Sequence, residues 1–137
     1  MPTCVCVVKA GLLNDEKKQR IASAITRLHS ETTGAPTWLV QVVIDENEHR
    51  QRYLNGHPAD HQIWIRGDIR AGRTTEQRQR LMLGIVQAIS EISRVEESAI
   101  WVYLCSATSR RTIWWNTATC CRGRVRNRRG LKHCLQS

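Results

Sequence analysis

Long apolar runs are missing from this 137-residue chain. No stretch approaches the ~20 consecutive apolar residues that a membrane-spanning helix requires. The first residues also lack the basic-then-apolar pattern of a secretory signal, so the expectation is a soluble, cytoplasmic protein. Several catalytic signatures are absent too: a Gly-rich phosphate loop, a Ser-His-Asp order and a paired-carboxylate pattern. No cofactor is expected. Six cysteines are present but form no framework. Cys4 and Cys6 alternate onto one face of a single strand, where a bond between them would distort it. Cys120, Cys121, His133 and Cys134 lack the CxxC-type spacing of a zinc site and read as stray thiols, so no metal is expected.

The most informative absence is acid near the end of the chain. Residues 1–105 hold all 12 Asp and Glu against 13 Lys and Arg, close to neutrality. Residues 106–137 hold eight basic residues (Arg110, Arg111, Arg122, Arg124, Arg126, Arg128, Arg129 and Lys132) and no acid. The whole net charge of +9 is therefore a property of the tail more than of the body. Two kinds of sequence are joined near Ser106.

The body repeats itself. Thr3–Lys9 reads as a buried strand, followed by a turn at Gly11 and Asn14 as helix N-cap, with Asp15 and Glu16 favoured by the helix dipole. Ile21, Ile25 and Leu28 recur at helical spacing to about Ser30, Gly34 and Pro36 end the helix, and Trp38–Ile44 is a second strand. After a polar stretch with turn chemistry at Asn55-Gly56 and Pro58, the pattern restarts. His61–Ile69 is a strand, Thr74 and Gln77 form a capping box, Leu81, Ile85, Ile89 and Ile92 make a helical stripe, and Ala99–Leu104 closes the unit. The halves align at an offset of about sixty residues: Lys9-Ala10-Gly11 with Arg70-Ala71-Gly72, and Gln19-Arg20-Ile21 with Gln79-Arg80-Leu81. The expectation is an α/β (α+β) fold of two right-handed β-α-β units, about 2–45 and 61–104, giving a four-stranded mixed sheet with both helices on one face. The other sheet face still carries apolar residues, so an oligomer is expected.

Candidate chemistry lies in a few residues of that repeat. Met1-Pro2 opens directly into a core strand, and removal of Met1 would leave a secondary amine at its start. The helix run Ala24–His29 (AITRLH), the turn Arg70-Ala71-Gly72-Arg73 and the strand Trp101-Val102-Tyr103 follow in order. With these four features, residues 2–104 resemble the tautomerase superfamily and, within it, the cis-3-chloroacrylic acid dehalogenase group. The resemblance implies Pro2 as the catalytic proline, Arg70, Arg73 and His29 as holders of a substrate carboxylate, and Tyr103 as the residue orienting water or substrate. The residue chemistry suits those roles. Guanidinium donates in a planar fork and keeps its charge, and neighbouring cations with desolvation lower the pKa of an amine. Arg66 reads as an ordinary solvated arginine.

After Leu104 the resemblance breaks. The family pattern continues with a Met-Val-Glu-Tyr-Gly-like segment whose Glu activates water; the ungapped equivalent here is Trp114, which can accept no proton. Thr112–Cys121 can be encoded so that the adjacent reading frame spells Asp-Met-Val-Glu-Tyr-Gly-His-Val-Leu. This points to a frameshift near Ser106 as the origin of the tail, with residues 106–137 expected to be irregular or disordered. A rival reading makes the tail a nucleic-acid arm, with cations on phosphates and Trp114 and Trp115 stacking on bases, though the body offers no support for it. The expected protein is a homotrimer, as the resemblance implies, acting on small unsaturated or keto-enol carboxylates. Tautomerisation needs only Pro2 and carboxylate anchoring, whereas dehalogenation or hydration needs the absent Glu. The alternative is a catalytically impaired or inactive member.

Overall fold

The computed structural model describes residues 2–46 and 51–106, and the backbone of 112–116. Strand β1 (Thr3–Val8) leads through a turn to helix α1 (Asp15–Thr33) and strand β2 (Gln41–Glu46). A hairpin of β3 (Tyr53–Leu54) and β4 (His57–Pro58) precedes β5 (Ile63–Ile69), helix α2 (Thr75–Ser93), β6 (Ile100–Ser106) and β7 (Thr112–Asn116). The main sheet has the order β2-β1-β5-β6-β7. β1 and β2 run parallel, as do β5 and β6, and the central pair β1 and β5 is antiparallel. The two β-α-β units are thus related by an approximate two-fold axis between β1 and β5.

The helix ends obey the local chemistry. Asn14 accepts from Lys17 N at 2.8 Å, and the Thr74–Gln77 capping box is closed in both directions. Gly34, at φ +71°, ends α1 in the left-handed conformation that glycine enters without a Cβ penalty. Asn55 and Gly56 both have positive φ, the requirement of a tight hairpin turn of twisted strands. Both helices lay their apolar stripes on one sheet face. Ile21, Ile25, Leu81, Ile85 and Ile89 meet Cys4, Cys6, Ile63, Ile65, Val102 and Leu104 in a single core. Burial pushes the Cys4 and Cys6 thiols up to about 12, which makes them inert apolar packing atoms at neutral pH.

Strand ends differ from the sequence expectation by one or two residues at β1, β5 and β6, and three differences are larger. The second strand begins at Gln41, because Pro36 and Thr37 accept backbone bonds from Leu39 and Val40 and fold Trp38 into a short 3₁₀ turn. Trp38 is 81% exposed, so its apolarity had marked no strand. Helix α1 continues to Thr33, one turn beyond Ser30. The four-stranded sheet of the two units is present, and residues 112–116, inside the segment expected to be irregular, add a fifth strand antiparallel to β6. That stretch, Thr-Ile-Trp-Trp-Asn, is rich in β-branched and aromatic residues, which suit a strand even within a basic tail. Cys120, Cys121, His133, Cys134 and the arginine run from Arg122 to Arg129 lie outside the described residues. Among the described residues no helix is long and apolar enough to cross a membrane.

Candidate active site

The antiparallel register of β1 on β5 decides which loops meet. Thr3 lies opposite Asp68, so the residue before it, Pro2, falls beside Ile69 and the turn that follows. That turn, Arg70–Arg73, uses Gly72 at φ +86° to swing the chain from β5 up to the N-cap of α2. Helix α1 runs back against β1, so its last turn, His29–Thr33, returns over the same sheet end. The chain then descends into β2, where Gln41 N donates to the Pro2 carbonyl at 3.0 Å. Pro2, His29, Arg70 and Arg73 therefore share one end of the layer, although they are scattered along the sequence. Pro2 and His29 are buried, Arg73 is half-buried and Arg70 is exposed.

His29 is only 2% exposed, and its surroundings disfavour the charged ring. Desolvation pulls its pKa below the usual histidine value, and the Arg73 guanidinium adds to the shift. Its Nδ1 lies 3.2 Å from the Thr33 hydroxyl, while Nε2 is buried with no hydrogen-bond partner among the described residues. Arg73 Nε and Ser106 Oγ are buried and unpartnered in the same way. Ser106 ends β6 in register with Ile69, which places it at this same end. Buried polar atoms without partners are costly, and three of those among the described residues lie at this end. Neither Arg70 nor Arg73 forms an ion pair among the described residues, whereas Arg66 is held by Asp68 at 3.4 Å, as its reading as a surface arginine implies.

Tyr103 is not brought into this group. It lies on the other face of the sheet, where its ring packs on Trp64 at a centroid separation of 5.5 Å. Thr33 and Ser106, by contrast, were not singled out from sequence. Thr33 is four residues after His29 on the same helix, a spacing that places the two side chains together. Ser106 carried no local signal beyond ending an apolar strand.

A cavity of about 460 Å³ lies at the opposite end of β1, lined in part by Val8, Lys9, Arg52, Tyr53 and Asp60. Its charges are already spent. Lys9 pairs with Asp60 at 3.1 Å, and Arg52 donates to the carbonyls of Gln62 and Val7, both at 3.0 Å. Arg70 and Arg73 at the Pro2 end carry no such ion pair among the described residues.

A family model described as "Putative oxalocrotonate tautomerase enzyme" matches residues 1–117, which covers both β-α-β units and β7. The chain belongs to this tautomerase family. Among solved structures, it is similar to N1, a member of the cis-3-chloroacrylic acid dehalogenase family, at 30% identity and a TM-score of 0.73. That match covers 76% of this chain and 73% of the other. The Ps01740 structure is similar at 29% identity and a TM-score of 0.72, covering 76% and 92% of the two chains. A fused 4-OT described as a symmetric trimer shares the fold at 21% identity and a TM-score of 0.70, over 76% and 84%. A search of curated proteins finds no match. The tautomerase-like fold, with its paired β-α-β units, is thereby shown.

Proposed function

We propose that this protein is a tautomerase acting on small unsaturated or keto-enol carboxylates, with the amine of Pro2, freed by removal of Met1, as its proton-transfer group. The supporting observation is the convergence at one sheet end of a buried Pro2, a buried His29 whose charged form is disfavoured, and an Arg73 that forms no ion pair among the described residues. Arg73, with Arg70 at the rim, anchors the carboxylate, and the Pro2 amine acts as the base. In the enol-to-keto direction Pro2 takes the proton of the enol hydroxyl and delivers it to the other carbon of the enol double bond, as the hydroxyl-bearing carbon becomes a ketone. A homotrimer covers the open sheet face, which carries Val5, Val43, Trp64, Trp101 and Tyr103, and Tyr103 serves from that face. No cofactor enters the reaction.

The test is enol-to-keto turnover of a phenylenolpyruvate-type substrate by the wild-type protein and Pro2→Ala, with the mass of the N-terminal peptide measured alongside. Loss of roughly 10²-fold or more in kcat/KM is expected for Pro2→Ala. Equal rates in a protein whose Met1 is removed would sink the mechanism.

A second reading has its own observation. Trp114 pairs with Tyr103 in β7, at the position where the family resemblance expects the water-activating Glu. Hydration and dehalogenation lack their base there, so the protein is impaired in those reactions even where tautomerisation proceeds. Turnover of cis-3-chloroacrylate at a rate matching enol tautomerisation would exclude this reading.

A further inference from the structure

The cavity at the far end of β1 plays no part in the chemistry assigned to Pro2. Its volume of about 460 Å³ falls within the roughly 300–1,000 Å³ of pockets that hold small molecules. The floor is the end of β1, where Val7 and Val8 are buried. The wall is the β3–β4 hairpin, in which Tyr53 and Pro58 are cross-strand partners. Two bonds hold that wall in place. Arg52 donates to the Val7 carbonyl at 3.0 Å, and the Tyr53 hydroxyl donates to Gln51 Oε1 at 2.7 Å. The cavity is therefore preformed.

Lys9 and Asp60 complete the lining as an ion pair at 3.1 Å, each side chain more than half exposed. An exposed pair of this kind contributes little and opens at small cost. A ligand with one charge would take one partner and strand the other. A ligand that carries ammonium and carboxylate together satisfies both, exchanging one ion pair for two. We infer that this cavity is a binding site for an aromatic α-amino acid. The ligand carboxylate accepts from Lys9, and its ammonium donates to Asp60. Its ring lies on the wall of Tyr53 and Pro58. Tyr53 is 60% exposed, so a ring stacked on it removes apolar surface from water. The site shares no residue with the Pro2 end and stands apart from the tautomerase chemistry proposed there.

The experiment is isothermal titration of the full chain at neutral pH with L-phenylalanine, glycine, 3-phenylpropionate and phenethylamine. Phenylalanine should bind at least about 10-fold more tightly than each of the others, which lack in turn the ring, the ammonium and the carboxylate. Lys9→Met and Tyr53→Ala, with folding checked by circular dichroism, should each weaken phenylalanine by about 10-fold or more, and Arg73→Gln should leave it unchanged. No phenylalanine binding at about 10 mM, a smaller preference over any of the three, or a smaller loss in either variant overturns the assignment. So does loss of binding in Arg73→Gln, which would put the amino acid at the Pro2 end.

Discussion

Shifted by sixty residues, the first β-α-β unit lies on the second, and the two differ mainly at the residues that face the sheet ends. His29 in α1 corresponds to Ile89 in α2, and both are buried. Thr33 and Ser93, also equivalent, each donate at 2.6 Å to the carbonyl four residues back, so the helix framing is the same. Lys9 stands for Arg70, Leu12 and Leu13 for Arg73, and Ile63 for Pro2. One end of the duplicated layer holds an imidazole, two guanidiniums and a proline. Its symmetry mate has aliphatic side chains at the equivalent positions, and the cation that replaces Arg70 there, Lys9, is neutralised by Asp60. The backbone frame is thus specified twice by caps and turns, and the chemistry is specified once, by four substitutions within it.

The strongest way to break this comparison is to exchange the two helix positions. Ile89→His places a ring where Ile89 is fully buried in the apolar core. It should cost roughly 2–5 kcal/mol of unfolding free energy by urea titration at pH 8. The reverse change, His29→Ile, removes the orphaned Nε2 and should raise stability by about 1 kcal/mol while abolishing turnover. It should also change the pH dependence. A histidine held below its ordinary value of 6.5 when folded takes up protons on unfolding. Its contribution is present above pH 6.5 and is lost as pH falls through the lower folded value. Urea midpoints measured from pH 7.5 downward should fall in the wild type and flatten in His29→Ile.

A smaller effect sharpens the comparison at the helix ends. Both C-caps are left-handed, Gly34 at φ +71° and Arg94 at φ +66°. Arginine pays a steric cost there that glycine escapes, so Arg94→Gly should stabilise by about 0.5–1 kcal/mol and Gly34→Ala should destabilise by about 1 kcal/mol, both read by thermal melting. Equal and opposite shifts would show that the two caps are interchangeable. The last and smallest contrast is at the N-caps. Thr74→Ala should cost about 1 kcal/mol and Asn14→Ala somewhat less, since only Thr74 belongs to a reciprocal box.

Much of this fold was legible because it is governed locally. The repeat, the stop at Gly34, the box at Thr74 and Gln77 and the hairpin turn at Asn55-Gly56 are each set by the chemistry of a few neighbouring residues. Strand starts were less legible, since Trp38 is apolar but sits in an exposed turn shaped by Pro36. The fifth strand was missed because the charge of the tail hid five β-prone residues at 112–116. In the site, the meeting of Pro2 with Arg70 and Arg73 depends on the β1–β5 register, which no single segment encodes. The bond from Thr33 to His29 was within reach of helical spacing. The burial of Ser106 was not.

That register also sets a condition on how the molecule comes into being. Thr3 and Asp68 must find each other across more than sixty residues, a long loop to close before any ladder bond repays it. Either unit alone is a pair of parallel strands under one helix, too little to hold its own shape. The site takes Pro2 and His29 from one unit and Arg73 from the other. A single unit on its own therefore contains no complete site. The appearance of carboxylate binding in a refolding experiment would mark the docking of the two halves.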